Sequence, residues 1–130
     1  APTPEAPSGT VIGSGSFDSS TGVGLNTHTA WTAAEQADGS VKLTLSVYVR
    51  SYTLEIGQRS IAISVNGATS GGMTRSFSVD SPNSQTDTLI YTYSTTVQKG
   101  SAVSVSVDWN YKGQYSGRDL DVISSSSTIF

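Results

Sequence analysis

Strict alternation of apolar and polar residues is the feature that most constrains the fold of this chain. From Val41 to Arg50 every second residue is Val or Leu, and Val103 to Tyr111 has the same period. Successive side chains of a strand point to opposite faces, so each run predicts a strand with one buried and one wet face. No stretch of about ten residues has helical periodicity. Further runs of shared parity are Ile61, Ile63 and Val65, and Leu89, Tyr91, Tyr93 and Val97.

Turn signals separate these runs. Asp38-Gly39, Asn66-Gly67, Gly71-Gly72 and Lys99-Gly100 each stand between two apolar stretches, and such dipeptides are typical of tight turns. Short alternating runs with frequent turns predict an all-β fold. We expect an antiparallel β-sandwich of Ig-like or jelly-roll type with about seven to nine strands.

The 130 residues fit one domain that can bury its own core. Residues 1–9 carry all but one of the four prolines. Because proline disfavours both helix and sheet, we interpret 1–9 as an extended linker, or alternatively as a disordered terminus, and 10–130 as a single β-sandwich module. A Pro/Thr-rich linker before a compact module suggests that the module is part of a larger modular protein.

Charged residues form only 13% of the chain, about half of the roughly 25% usual in soluble proteins. The 24 Ser and 16 Thr provide hydroxyls in their place, as in many exported β-proteins, so we expect an extracellular or cell-surface location. A net charge of −3 with scattered Lys and Arg argues against nucleic-acid binding. No apolar run approaches the ~20 residues of a membrane helix, so we expect no membrane insertion.

The sequence offers no recognisable catalytic constellation. His28 is the only histidine, there is no cysteine, and no G-x-S-x-G motif positions a nucleophile. Most aspartates fall at turns, where their side chains serve turn geometry. Asp119 and Asp121 could offer oxygen ligands to calcium, but they lack EF-hand spacing. We therefore expect no enzyme activity, no catalytic residue, no metal site and no cofactor.

The two tryptophans are expected in the core. Trp109 has the same parity as Val103 in the alternating run, so we expect its side chain to be buried. The position of Trp31 depends on the hairpin register at Asp38-Gly39: a two-residue loop turns its ring outward, whereas a three-residue loop opposes it to Leu45 and turns it inward. Burial of a large side chain is worth roughly 1.5–3 kcal/mol, so the inward register is favoured.

The tyrosines are the best candidates for a ligand surface, because aromatic faces stack on sugar rings while amides and guanidinium groups bond sugar hydroxyls. Tyr48 and Arg50 have the polar parity of their strand, and Tyr52 follows. The second group lies in the glycine-containing segment YKGQYSG. The predicted ligand-binding residues are Tyr48, Arg50, Tyr52, Tyr111, Gln114 and Tyr115.

The segment GQYSGRDLDVISSSSTI, with GVGLNTHTAW and SVNG, resembles Ig-like modules of Gram-positive surface proteins and phage tail proteins. The resemblance covers Gly22 to Ile129 and implies an extracellular, non-catalytic module that is repeated or appended. It carries over no binding residue.

Two functions follow as hypotheses. The first is a carbohydrate-binding module whose partner is a polysaccharide. The second is a structural spacer or an adhesin or phage-tail module that contacts proteins or cell surfaces.

Overall fold

The computed structural model describes residues 9–19, 21, 24–100, 102–115 and 117–129. These residues form twelve strands, and none of them forms a helix that could cross a membrane. Residues 1–8 of the predicted linker lie outside the described residues. The strands are β1 (Thr10–Asp18), β2 (Asn26–Glu35), β3 (Val41–Ser51), β4 (Leu54–Ile56), β5 (Ser60–Val65), β6 (Ala68–Met73), β7 (Phe77–Val79), β8 (Thr86–Val97), β9 (Val103–Trp109), β10 (Gly113–Tyr115), β11 (Arg118–Leu120) and β12 (Ile123–Ile129).

Two four-stranded antiparallel sheets form the body of the fold. Their strand orders are β1-β2-β3-β8 and β12-β9-β5-β6, and the short pairs β4–β7 and β10–β11 complete the described structure. The inward-facing apolar residues of the two sheets form one core cluster. At one edge, a hydrogen bond of 3.0 Å joins the hydroxyls of Tyr93 on β8 and Ser70 on β6. The all-β antiparallel sandwich is thus confirmed. The twelve described strands are more than the seven to nine expected, and four of them have only three residues.

The β2–β3 hairpin has the inward register for Trp31. Trp31 pairs with Leu45, and Gly39 closes the turn with a φ of 87°, a conformation that glycine adopts without strain. The backbone N–H of Gln36 donates to the carbonyl of Ser40 at 2.8 Å, which leaves a three-residue loop. The Trp31 side chain is half-buried and packs against the core beside β1.

Trp109 is fully buried, as its parity predicts. It pairs with Ile61 on one side and Ile123 on the other, which places it inside its sheet rather than at an edge. Leu25, just before β2, is fully buried as well. Core packing therefore explains why a tryptophan stands near the end of the alternating run that begins at Val103.

A β-bulge in β8 changes the parity expected for that strand. Tyr91 pairs with Val47 and faces the core, but the register shifts at the next pair and Leu89 lies opposite Tyr48. Leu89 therefore lies on the outer face, and the intervening Ile90 is buried instead. The expectation that Leu89 and Tyr91 share one face is wrong, because the extra residue of a bulge reverses the alternation.

The outer face of each sheet carries a row of hydroxyl-bearing residues. One row crosses all four strands of the first sheet, and another crosses all four strands of the second. Side chains in register on adjacent strands are close neighbours, so the members of each row lie side by side. The rows are Ser14, Thr32, Thr44 and Ser94, and Ser126, Ser106, Ser64 and Thr69.

Candidate functional site

Two tyrosines far apart in sequence meet beside the end of β3. The backbone N–H of Tyr52, just after β3, donates to the hydroxyl oxygen of Tyr115, the last residue of β10, at 3.1 Å. Both side chains border an open cleft of about 570 Å³, a volume in the range of about 300–1,000 Å³ usual for ligand pockets. Tyr52 is 41% exposed and Tyr115 is half-buried. The cleft is lined by Tyr52, Thr53, Leu54, Glu55, Pro82, Gln114 and Tyr115.

Gly24 lies close to both rings. A Cβ atom at this position would lie 3.0 Å from Cδ2 of Tyr52 and 3.6 Å from Cε2 of Tyr115. The carbonyl of Gly24 accepts a hydrogen bond of 3.0 Å from the side-chain amide of Gln85, which ties the segment to the start of β8. Both rings therefore lie close to Gly24, and a side chain at this position would crowd the ring of Tyr52.

Hydrogen bonds of Ser81 fix the turn before β8, which carries the lining residue Pro82. The backbone N–H of Ser81 donates to the hydroxyl of Thr53 at 3.0 Å, and the Ser81 hydroxyl donates to the carbonyl of Ser84 at 2.5 Å. These bonds place Pro82 at the cleft. On the short β4–β7 pair, Glu55 lies opposite Ser78 and its side chain is exposed.

Tyr111 is buried under the β10–β11 hairpin and is not among the lining residues of the cleft. Its side chain is 4% exposed, and its hydroxyl donates to the carbonyl of Gln114 at 2.8 Å. Its ring packs at a tilt against Trp109, with 5.4 Å between ring centroids. Burial raises the pKa of Tyr111 above its ordinary value of 10.0, because the phenolate would lose solvation there. The expectation that Tyr111 lies on the surface is wrong, since the inward parity of β9 extends to it.

Tyr48 and Arg50 lie apart from the cleft, on the outer face of the first sheet. The Tyr48 ring packs near His28, with centroids 6.1 Å apart, and His28 in turn bonds Asp18. The guanidinium of Arg50 donates to both carboxylate oxygens of Asp87, at 2.9 and 3.2 Å. This fork raises the pKa of Arg50, first through hydrogen bonding and then through charge.

The structure therefore brings together three of the six predicted residues: Tyr52, Gln114 and Tyr115. Sequence reasoning missed Glu55, Pro82 and Gly24. Proline and glycine are common in turns and loops, so Pro82 and Gly24 are explained by local backbone geometry. Their positions at the cleft are therefore not evident from the sequence. Only the pairing of segments 63 positions apart assembles the cleft, and local patterns do not reveal such pairings.

The cleft offers groups that can contact and hydrogen-bond a ligand. Of its seven described lining residues, Glu55 alone is a carboxylate. Across the described ranges no group of three or more His, Asp or Glu side chains could hold a metal ion. The groups present are two aromatic rings, one amide, one carboxylate and hydroxyls.

Searches of protein-family models, of curated proteins and of solved structures each found no match for this chain.

Proposed function

We propose that this chain is a non-catalytic, extracellular carbohydrate-binding module that holds a polysaccharide in the cleft between Tyr52 and Tyr115. The observation that carries the proposal is the meeting of two partly exposed tyrosines with Gln114 and Glu55 around one open cleft. Aromatic faces offer flat apolar contact to the C–H groups of a sugar, and amide and carboxylate groups bond its hydroxyls.

The order of the cleft supports this proposal. Three groups of this region are each held by a hydrogen bond to another segment: the Tyr52 backbone N–H, the Thr53 hydroxyl and the Gly24 carbonyl. A preorganised surface loses less conformational entropy when a ligand binds, so more of the contact energy contributes to affinity. Sugar binding by a small open cleft benefits from such order because each individual contact is weak.

The test is a panel of soluble plant, microbial and host glycans, screened by array and then by calorimetry. Tyr52→Ala and Tyr115→Ala remove the two rings, and Tyr48→Ala removes a tyrosine that lies outside the cleft. We expect one glycan class to bind, both cleft variants to lose at least about tenfold in affinity, and Tyr48→Ala to bind like the parent chain. Failure of all glycans to bind at millimolar concentration would overturn the proposal.

A second candidate function is a spacer, adhesin or phage-tail module that contacts proteins. It is favoured by Val11 and Ile12, which are 50% and 43% exposed on β1, the terminal strand of its sheet. Exposed apolar side chains on a terminal strand can support pairing with another chain. Val11→Lys would abolish such an association and leave glycan binding intact, which separates the two functions.

A further inference from the structure

Two further depressions each share one lining residue with the cleft. Glu55 also lines a depression of about 590 Å³ along the β4–β7 pair, together with Gly57, Ser76 and Ser78. Gln114 also lines a depression of about 370 Å³ over the β10–β11 hairpin. We call the three depressions together the strip. Because adjacent depressions share Glu55 or Gln114, the strip suits an extended ligand better than a single small molecule.

The strip is acidic. The hairpin depression contains Asp119 and Asp121, so three carboxylates, with that of Glu55, line the strip against the single ammonium group of Lys112. The whole chain has the same sign, with a net charge of −3.

Two arginines lie near the strip but are not among its described lining residues. Arg118 lies opposite Tyr115 in the hairpin register and is not among the lining residues of the three depressions. Arg59 donates its guanidinium to the carbonyls of Tyr111 and Gln58, at 3.1 and 3.0 Å. The polar side chains that line the strip are mainly hydroxyls and carboxylates.

We infer that the strip binds several consecutive units of a neutral linear polysaccharide and disfavours chains that carry carboxylate or sulfate groups. This inference rests on the proposed function. Sugar hydroxyls can donate to the carboxylates of Glu55 and Asp119, and such charge-assisted hydrogen bonds are the stronger ones. An anionic chain would instead bring like charges close to these groups, and this repulsion would lower its affinity and slow its association.

The test compares two derivatives of one polysaccharide backbone, hydroxyethyl cellulose and carboxymethyl cellulose. The same two kinds of derivative are compared for whichever panel polysaccharide binds best. Both derivatives add bulk to the same hydroxyls, but only one adds charge. Affinity electrophoresis and calorimetry at low salt should show the carboxymethylated form weaker by at least about fivefold, since one like-charge contact costs about 1 kcal/mol in water. Added salt should narrow this difference, and so should Glu55→Gln and Asp119→Asn.

A ladder of oligosaccharides cut from the best neutral ligand tests the length of the strip. Affinity should rise as the chain grows beyond two units and then level off. Equal affinity for the neutral and charged derivatives, or a plateau already at one unit, would overturn the inference while leaving the proposed function intact. Absence of binding to every derivative and every panel glycan would instead overturn the proposed function, and the inference with it.

Discussion

The hydroxyl oxygen of Tyr115 accepts a hydrogen bond of 3.1 Å from the backbone N–H of Tyr52, across 63 positions of the sequence. The bond fixes the segment that follows β3 against the β10–β11 hairpin. The same hairpin is tied to the core from beneath by the hydroxyl of Tyr111. The candidate site is thus a surface cleft whose two aromatic walls are anchored by tyrosine hydroxyls.

The Tyr52–Tyr115 bond predicts a difference between two conservative variants. Tyr115→Phe removes the acceptor, whereas Tyr52→Phe keeps the bond because the donor is the backbone. A hydrogen bond of this kind contributes about 1 kcal/mol, so we expect the amide proton at position 52 to exchange about fivefold faster in Tyr115→Phe. Hydrogen exchange followed by NMR measures this, and equal exchange rates in the two variants would show that the bond does not hold the cleft.

Tyr111 predicts a loss of stability in alkali. Burial raises its pKa in the folded state above 10.0, so above about pH 10 the unfolded chain releases this proton more readily than the folded one. Its contribution is therefore fully present below pH 10 and is lost as the pH rises through the folded-state pKa.

Urea unfolding at about pH 8 and about pH 11 measures this effect. The parent chain should lose more free energy of unfolding between the two pH values than Tyr111→Phe, which has no proton to release at that position. Tyr111→Phe should itself be less stable at the lower pH by about 1 kcal/mol, because the bond to Gln114 is absent. An identical alkaline loss in both chains would contradict the burial of this hydroxyl.

The two tryptophans are expected to differ in their contribution to stability. Trp109 is 0% exposed in the middle of its sheet, so Trp109→Ala should cost about 3–5 kcal/mol or prevent folding. Trp31 is half-buried beside the edge strand β1, so Trp31→Ala should cost clearly less. Urea unfolding of both variants decides the order, and a larger cost at Trp31 would show that the core is centred elsewhere.

Gly15 predicts a steric effect at the same edge. A Cβ atom there would lie 2.9 Å from Nε1 of Trp31, so Gly15→Val must displace the indole, at a cost of about 1–3 kcal/mol. Gly71, also on an edge strand, is the matched control because its nearest atom, the carbonyl oxygen of Ile61, would be 3.7 Å away. If thermal unfolding finds the same effect for both valine substitutions, Trp31 does not pack over Gly15.

The sequence predicts those parts of the fold that local physics decides. Alternation marks the buried faces of β3 and β9, and the inward register of Trp31 follows from the free energy of burying its ring. The parity that begins at Val103 extends to Tyr111 and indicates its burial, although the glycines beside it suggest a loop. No local pattern in the sequence indicates the bulge at Ile90, because an extra residue in β8 is defined only by its pairing with β3.

The cleft was less predictable than the fold. Tyr52, Gln114 and Tyr115 could be selected by residue type, since each combines a polar group with a loop or strand-end position. Their meeting depends on how the β10–β11 hairpin packs against the end of β3. Glu55 and Pro82 gain their roles only through that tertiary arrangement, and no short-range pattern in the sequence encodes it.

The most direct measurement is NMR mapping of the backbone amides while the best-binding neutral oligosaccharide is titrated into the labelled protein. The account predicts shifts concentrated at Tyr52, Glu55, Gln114 and Tyr115, with the amides of Tyr48 and Arg50 unchanged. Shifts confined to the outer face of the first sheet, around Tyr48 and Arg50, would contradict the assignment of the cleft. No shifts at saturating oligosaccharide would contradict carbohydrate binding itself.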